Sequence, residues 1–240
     1  MKIIRLNSLS SSKKPRKTSD IRFVVIHYTG MQSKRASLVR LLNKKYKVSC
    51  HYLIDRSGNI IKMLDDNKVA WHAGKSKWKK FNNLNETSIG IELVNKGHRI
   101  SYEKFPNKQI KNLIKLSKFL KKKYKIKQPN FLGHSDIAPL RKRDPGEYFP
   151  WLRLSKQKLG IWYPKLNKKI KVVNKKKMRN LFFKNLHKIG YRYFNKTKSS
   201  KKDRLIVQVF QSKFLPKKAD GKIDIKTYII SHFLANDVNY

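Results

Sequence analysis

The sequence predicts an α/β fold, a β-sheet flanked by helices, followed by a small C-terminal three-helix domain, and three observations point there. Residues 21–28, IRFVVIHY, form a nearly continuous β-branched apolar run, the pattern of a strand covered on both faces. A helical repeat at 33–46 and a hairpin follow it, so strand and helix signals share one segment. From about residue 176 only amphipathic helix patterns remain.

Each element has its own reason. In 33–46 Ser33 is placed to cap, and Leu38, Leu41, Leu42 and Tyr46 recur at helical spacing. The segments 51–55 (HYLID) and 59–63 (NIIKM) flank Arg56-Ser57-Gly58, a short connection in which glycine supplies a positive φ. Residues 88–94, SIGIELV, read as a further strand. The clearest helix is 106–125, where Ile110, Leu113, Leu116, Leu120 and Tyr124 line one face and lysines fill the other. A short strand at 130–133 leads into a loop, 134–151, rich in Pro, Gly and charge. The last helices are expected at 178–189, 204–214 and 225–234.

The chain has 240 residues, with 59 Lys and Arg against 14 Asp and Glu, a net charge of +45. A hydrophobic fraction of 39% with 11% aromatics is enough for a packed core and argues against a disordered basic tail. No run approaches the ~20 apolar residues of a membrane span. The basic, serine-rich N-terminus also lacks the apolar stretch of an export signal. The single Cys50 excludes an intramolecular disulfide and every metal site built on a cysteine cluster. The charge first suggests nucleic acid. Lysine outnumbers arginine 46 to 13, however, whereas proteins that read bases lean on arginine. After Glu147 no acidic residue appears until Asp203, a shift that marks a linker. The domains expected are a basic N-terminal segment (1–20), a main domain (21–165), a basic linker (166–175) and a helical domain (176–240).

Three side chains suit a metal. His27 ends a buried strand, where side chains reach the rim of a sheet, and His134 follows a second strand ten residues before Asp144. Two imidazoles and a carboxylate would satisfy a catalytic zinc, which leaves its fourth position to water. Glu92 lies in an otherwise apolar strand, where an unpaired carboxylate is costly to bury; it is either half of an ion pair or a proton carrier. Lys142, two residues before Asp144, would then lie near the metal, where an ammonium can stabilise an oxyanion, but spacing alone does not single it out among 46 lysines.

Five motifs in order, FVVIHYTG, SCHYLIDRSGNI, VAWHAG, SIGIELVN and GHSDIAPLRKRDPG, resemble the zinc-dependent N-acetylmuramoyl-L-alanine amidases of the type 2, AmpD/AmiD-like group over residues 21 to about 160. The resemblance implies a mixed central sheet and one Zn2+ per chain, held by His27, His134 and Asp144. It places Glu92 on the catalytic carboxylate and Lys142 on the lysine that polarises the scissile carbonyl. The implied reaction is hydrolysis of the amide joining N-acetylmuramic acid, in its ordinary or 1,6-anhydro form, to L-alanine of the stem peptide. His51, Trp71, His72 and Asn95 match positions around the groove and are expected to line substrate or support the ligands. The family often has Gly where Leu140 stands, a departure that reshapes the rim. The C-terminal 70 or so residues resemble a peptidoglycan-binding module through LHKIGY (186–191), VFQSKF (209–214) and DGKID (220–224) with Thr227. The partner implied is peptidoglycan or a muropeptide, bound by a monomer. The module favours the periplasm, the envelope or secretion, while the lack of a visible signal leaves the cytoplasm open. The alternatives are a non-catalytic peptidoglycan binder and, less favoured, a basic nucleic-acid binder.

Overall fold

The structure is a computed structural model that describes residues 2–12, 15–164 and 174–236. In chain order its main elements are β1 (Ile3–Arg5), β2 (Phe23–Tyr28), α1 (Lys34–Leu42), β3 (Tyr52–Ile54), β4 (Ile60–Lys62), β5 (Lys77–Trp78), β6 (Phe81–Asn82), β7 (Ser88–Leu93), α2 (Asn107–Tyr124), β8 (Phe131–Gly133), α3 (His134–Ile137), α4 (Trp151–Ser155), α5 (Lys175–Ile189), α6 (Asp203–Phe214) and α7 (Ile225–Asn236). Six strands form one sheet in the order β1-β4-β3-β7-β2-β8, with every pairing parallel except β3 with β4. The central sheet is therefore mixed.

Local chemistry sets the boundaries. Ser33 caps α1 by accepting the Ala36 N–H at 3.1 Å. The repeat expected to run to Tyr46 stops at Leu42, because Asn43 turns extended and caps a separate 3-10 turn at 44–46. In the hairpin, the Gly58 N–H donates to the Asp55 carbonyl at 2.9 Å, and Gly58 has the expected positive φ of 89°. The expected loop at 134–151 contains the one-turn helix α3, too short to show a period. The linker expected at 166–175 lies outside the described residues as far as 173, and Asn174 caps α5 by accepting the Lys177 N–H at 2.9 Å.

The period-two alternation of β2 and β7 gives the sheet two apolar faces. On one, Val24, Ile26, Ile89 and Ile91 pack with Ile110, Leu113, Leu116 and Leu120 of α2. On the other, Phe23, Val25 and Leu132 pack with Phe182, Phe183, Leu186, Phe210 and Phe214. The C-terminal helices thus share a hydrophobic cluster with the sheet. Each large side chain buried this way stabilises the fold by ~1.5–3 kcal/mol. A backbone bond from the Lys79 N–H to the Gly190 carbonyl, 2.8 Å long, joins the β5–β6 turn to the end of α5.

The basic N-terminal segment is tied into this core. β1 adds a parallel edge strand beside β4. The buried Arg16 guanidinium donates to the carbonyls of Asp66, Asn85, Glu86 and Ser88 at 2.7–3.1 Å.

Candidate active site

The same alternation that buries Ile89 and Ile91 against α2 turns Ser88, Gly90 and Glu92 to the other face. There they lie in register with Phe23, Val25 and His27 of β2. Two residues of a site, His27 and Glu92, are thereby set side by side by a backbone ladder. His134, at the start of α3, and Asp144, in the following loop, close in from the far side of β2.

Three ligand atoms converge. His27 Nδ1 is 2.9 Å from His134 Nδ1, and Asp144 Oδ2 is 3.0 Å from each. All three residues are buried. Their hydrogen-bond partners assign the tautomers. The Ser88 hydroxyl donates to the Leu84 carbonyl at 2.5 Å, so its oxygen accepts from His72 Nε2 at 3.2 Å. That leaves His72 Nδ1 to accept the Nε2–H of His27 at 2.9 Å, and leaves His27 Nδ1 as a bare lone pair. His134 Nε2 lies 3.0 Å from the Ala73 carbonyl and must carry its proton, so its Nδ1 is bare as well. Two imidazole lone pairs and a carboxylate oxygen then face one another with no proton between them, an arrangement that suits a divalent cation.

The electrostatics agree. Burial, helped by the neighbouring His134, lowers His27 to about 4, so its ring is neutral at physiological pH. Burial alone would raise Asp144, but His134 and His27 outweigh it and hold the carboxyl far below the usual range. Glu92 goes the other way. Burial, then the charge of Asp144, raises it to about 8 against the opposing pull of Lys142, and its Oε2 has no hydrogen-bond partner among the described residues. A buried carboxyl with a free oxygen, facing a cavity, is built to exchange a proton.

These groups form the floor of a cavity of about 750 Å³. Arg40, Lys96, Arg99 and Arg143 give part of its wall a positive field, and Leu140 lies on the rim. Leu205, Gln208, Val209 and Ser212 of α6 form another part, so both regions of the chain contribute to one groove.

The structure brings together His27, His134, Asp144, Glu92 and Lys142 at this cavity, and His72 with them. It does not bring His51, Trp71 or Asn95 there. His51 is fully buried: its Nδ1 accepts the Gly90 N–H at 3.0 Å, its Nε2–H donates to the Lys68 carbonyl at 3.1 Å, and the Arg16 guanidinium lies beside the ring. Asn95 is buried and donates to the Glu103 carbonyl at 2.7 Å. Trp71 pairs its backbone with Ser49. Position in a motif placed these three near the groove, and their polar atoms bind backbone next to it: His51 at Gly90 of β7, Asn95 at Gly97 and Glu103, and Trp71 at Ser49. Sequence reasoning missed Ser88 and Gly90; the signal was there, since both are small and share a strand face with Glu92.

Gly90 is glycine because a Cβ there would overlap the His72 ring. Gly90→Ala is expected to displace that ring, destabilise the protein by ~1–3 kcal/mol, and weaken metal binding as well. Calorimetry with and without zinc checks it; an unchanged Tm and zinc affinity would remove His72 from its assigned place.

Comparison with known proteins accords with this geometry. Residues 17–147 match the N-acetylmuramoyl-L-alanine amidase family. The chain is 34% identical over 229 residues to N-acetylmuramoyl-L-alanine amidase AmiD of Escherichia coli, covering 89% of this chain and 82% of that protein. Its fold is similar to that of E. coli AmiD solved with the substrate anhydro-N-acetylmuramic acid-L-Ala-D-gamma-Glu-L-Lys, with a TM-score of 0.81 at 30% identity, covering 95% of this chain and 92% of that one. It is similar too to AmpDh3 of Pseudomonas aeruginosa in complex with anhydromuramic pentapeptide, with a TM-score of 0.80 at 27% identity, covering 95% of this chain and 94% of that one. With two histidines, an aspartate and a buried glutamate gathered at one cavity, and with such enzymes as relatives along most of its length, the chain belongs to the N-acetylmuramoyl-L-alanine amidase family of the AmpD/AmiD type.

Proposed function

We propose that the chain hydrolyses the amide between the lactyl group of N-acetylmuramic acid, the 1,6-anhydro form included, and L-alanine of the stem peptide, with one zinc ion held by His27, His134 and Asp144. The observation that carries this reading is the convergence of three bare ligand atoms beside Glu92 and Lys142 on one cavity floor. The muropeptide complexes solved for AmiD and AmpDh3 support the substrate class.

A zinc ion bound there supplies Lewis acidity for the carbonyl and for the attacking water. His72, through Ser88, holds the proton on the outer nitrogen of His27 and so keeps the inner one available. Glu92 takes the proton of the nucleophile and delivers it to the leaving nitrogen. Lys142 places an ammonium where negative charge develops on the carbonyl oxygen. The basic wall of the groove attracts the carboxylates of the stem peptide.

In this reading residues 21–165 form the catalytic unit. Residues 176–240 form a peptidoglycan-binding-like unit whose α6 completes the groove wall. Such a unit would raise the local concentration of wall substrate, which suits work at the cell envelope. The partner in this reading is peptidoglycan or a muropeptide, bound by a monomer. Among the described residues no helix is long and apolar enough to cross a membrane.

Mass spectrometry of defined muropeptides tests the proposal. Incubation with zinc is expected to release a peptide beginning with L-alanine and to leave the sugar's lactyl carboxylate free, with no release in the presence of chelator. Retention of intact muropeptide without turnover would make the chain a binding protein.

A further inference from the structure

A second buried charge cluster is centred two residues along α3 from His134, where α3 meets the C-terminal helices. Asp136 and Lys213 are 1% and 6% exposed and pair at 2.6 Å. The other Asp136 oxygen accepts the Tyr191 hydroxyl at 2.6 Å, and the Gly133 N–H donates to Asp136 Oδ2 at 2.8 Å. The Lys213 ammonium also sits 4.0 Å above the centre of the Trp151 ring. None of these groups lines the cavity.

We infer that this cluster positions His134, so that the C-terminal helices set the geometry of the metal site as well as a wall of the groove. The inference rests on the reading of His134 as a metal ligand. α3 spans only His134–Ile137, and a single turn cannot hold itself in place. Its anchor is the Asp136 carboxylate, which binds backbone just before His134 and side chains from two parts of the C-terminal unit. Tyr191 follows the end of α5, and Lys213 lies in α6, whose neighbouring Ser212 lines the groove. A carboxylate so enclosed holds α3 by directional, charge-assisted bonds, which fix position in a way that apolar packing does not. Losing them leaves α3 held by the backbone bonds of Ser135 to Asp144 and of Ala138 to His134, and the His134 ring by its bond to the Ala73 carbonyl.

The experiment is zinc affinity of the full chain, measured by competition with a chromophoric chelator at a temperature where circular dichroism shows each variant folded. Tyr191→Phe, which removes one hydrogen bond, is expected to raise the zinc dissociation constant by about 3–10-fold, and Lys213→Met by about 10–100-fold, the range for groups that support metal ligands. Arg179→Met is the control. It breaks the Arg179–Asp203 pair, 2.6 Å long and internal to the C-terminal unit, and is expected to leave zinc affinity within about 2-fold of the parent. Unchanged affinity in both Tyr191→Phe and Lys213→Met would overturn the inference, leaving the cluster as an adhesive between units. So would an equal loss in Arg179→Met. Should Lys213→Met not fold, Tyr191→Phe decides alone. A parent protein that binds no zinc would instead defeat the metal reading beneath it.

Discussion

Replacing His134 or Asp144 by alanine is expected to remove both bound zinc and amide hydrolysis. Each supplies one of three ligand atoms that lie within 3.0 Å of one another, and Asp144 supplies the only anionic one. Loss of a supporting group costs ~10–100-fold in metal affinity, and loss of a ligand costs more. The Lewis acidity that leaves with the metal is worth several kcal/mol of transition-state stabilisation. At 1.36 kcal/mol per factor of ten, the expected fall in kcat/KM is at least ~10³-fold. Metal analysis of the purified variants and release of L-alanine peptide measure the two losses. Turnover that survives in a variant without metal would end the zinc reading.

Glu92→Gln carries the second large effect, and it has two sides. Removing the proton carrier is expected to lower turnover by ~10²–10⁴-fold, the contribution of general acid–base catalysis, while zinc stays bound. The same change is expected to stabilise the metal-free protein at alkaline pH. Burial raises Glu92 to about 8 from the ordinary 4.5. Between those values the folded protein keeps a proton that the unfolded chain has released, so stability falls as pH rises through this window and the full cost is present above about 8. Glutamine does not titrate. The Tm of the variant should therefore exceed the parent's increasingly from pH 5 to pH 9 in chelator, at about 2–4 °C for each kcal/mol in a chain of this size. A Tm difference that is flat with pH would show that Glu92 is not held protonated. In the loaded enzyme the loss of its proton should appear as the acid limb of kcat/KM.

The elements that the sequence reveals are those long enough to show a period. The five apolar steps of α2 and the unbroken run of β2 are legible because each must cover a sheet face or be covered on both. β1, β5, β6 and α3 are two to four residues long, shorter than any repeat, and exist because their partners hold them. Glu92 was legible from solvation alone, as a carboxylate in an apolar strand. The convergence of His27, His134 and Asp144 needed the motif resemblance, because side chains 117 residues apart meet only through the crossover of strands. Asp136, Tyr191 and Lys213 fall inside the quoted motifs but had no role marked by their own chemistry, since a lysine among 59 basic residues looks like surface until it is found buried.

The pairing of His27 with Glu92 across β2 and β7 has an evolutionary consequence. The proposed ligand and proton carrier owe their spacing to main-chain bonds of central strands, where a shift of one residue would turn both to the opposite face. The cavity wall is drawn instead from loops, α1 and α6, where Leu140, Arg40 and Gln208 line it from outside that ladder. Chemistry and selectivity are thus inherited on separate parts of the chain. A lineage can exchange one wall-fragment preference for another by changing rim residues while the reaction they surround is left intact.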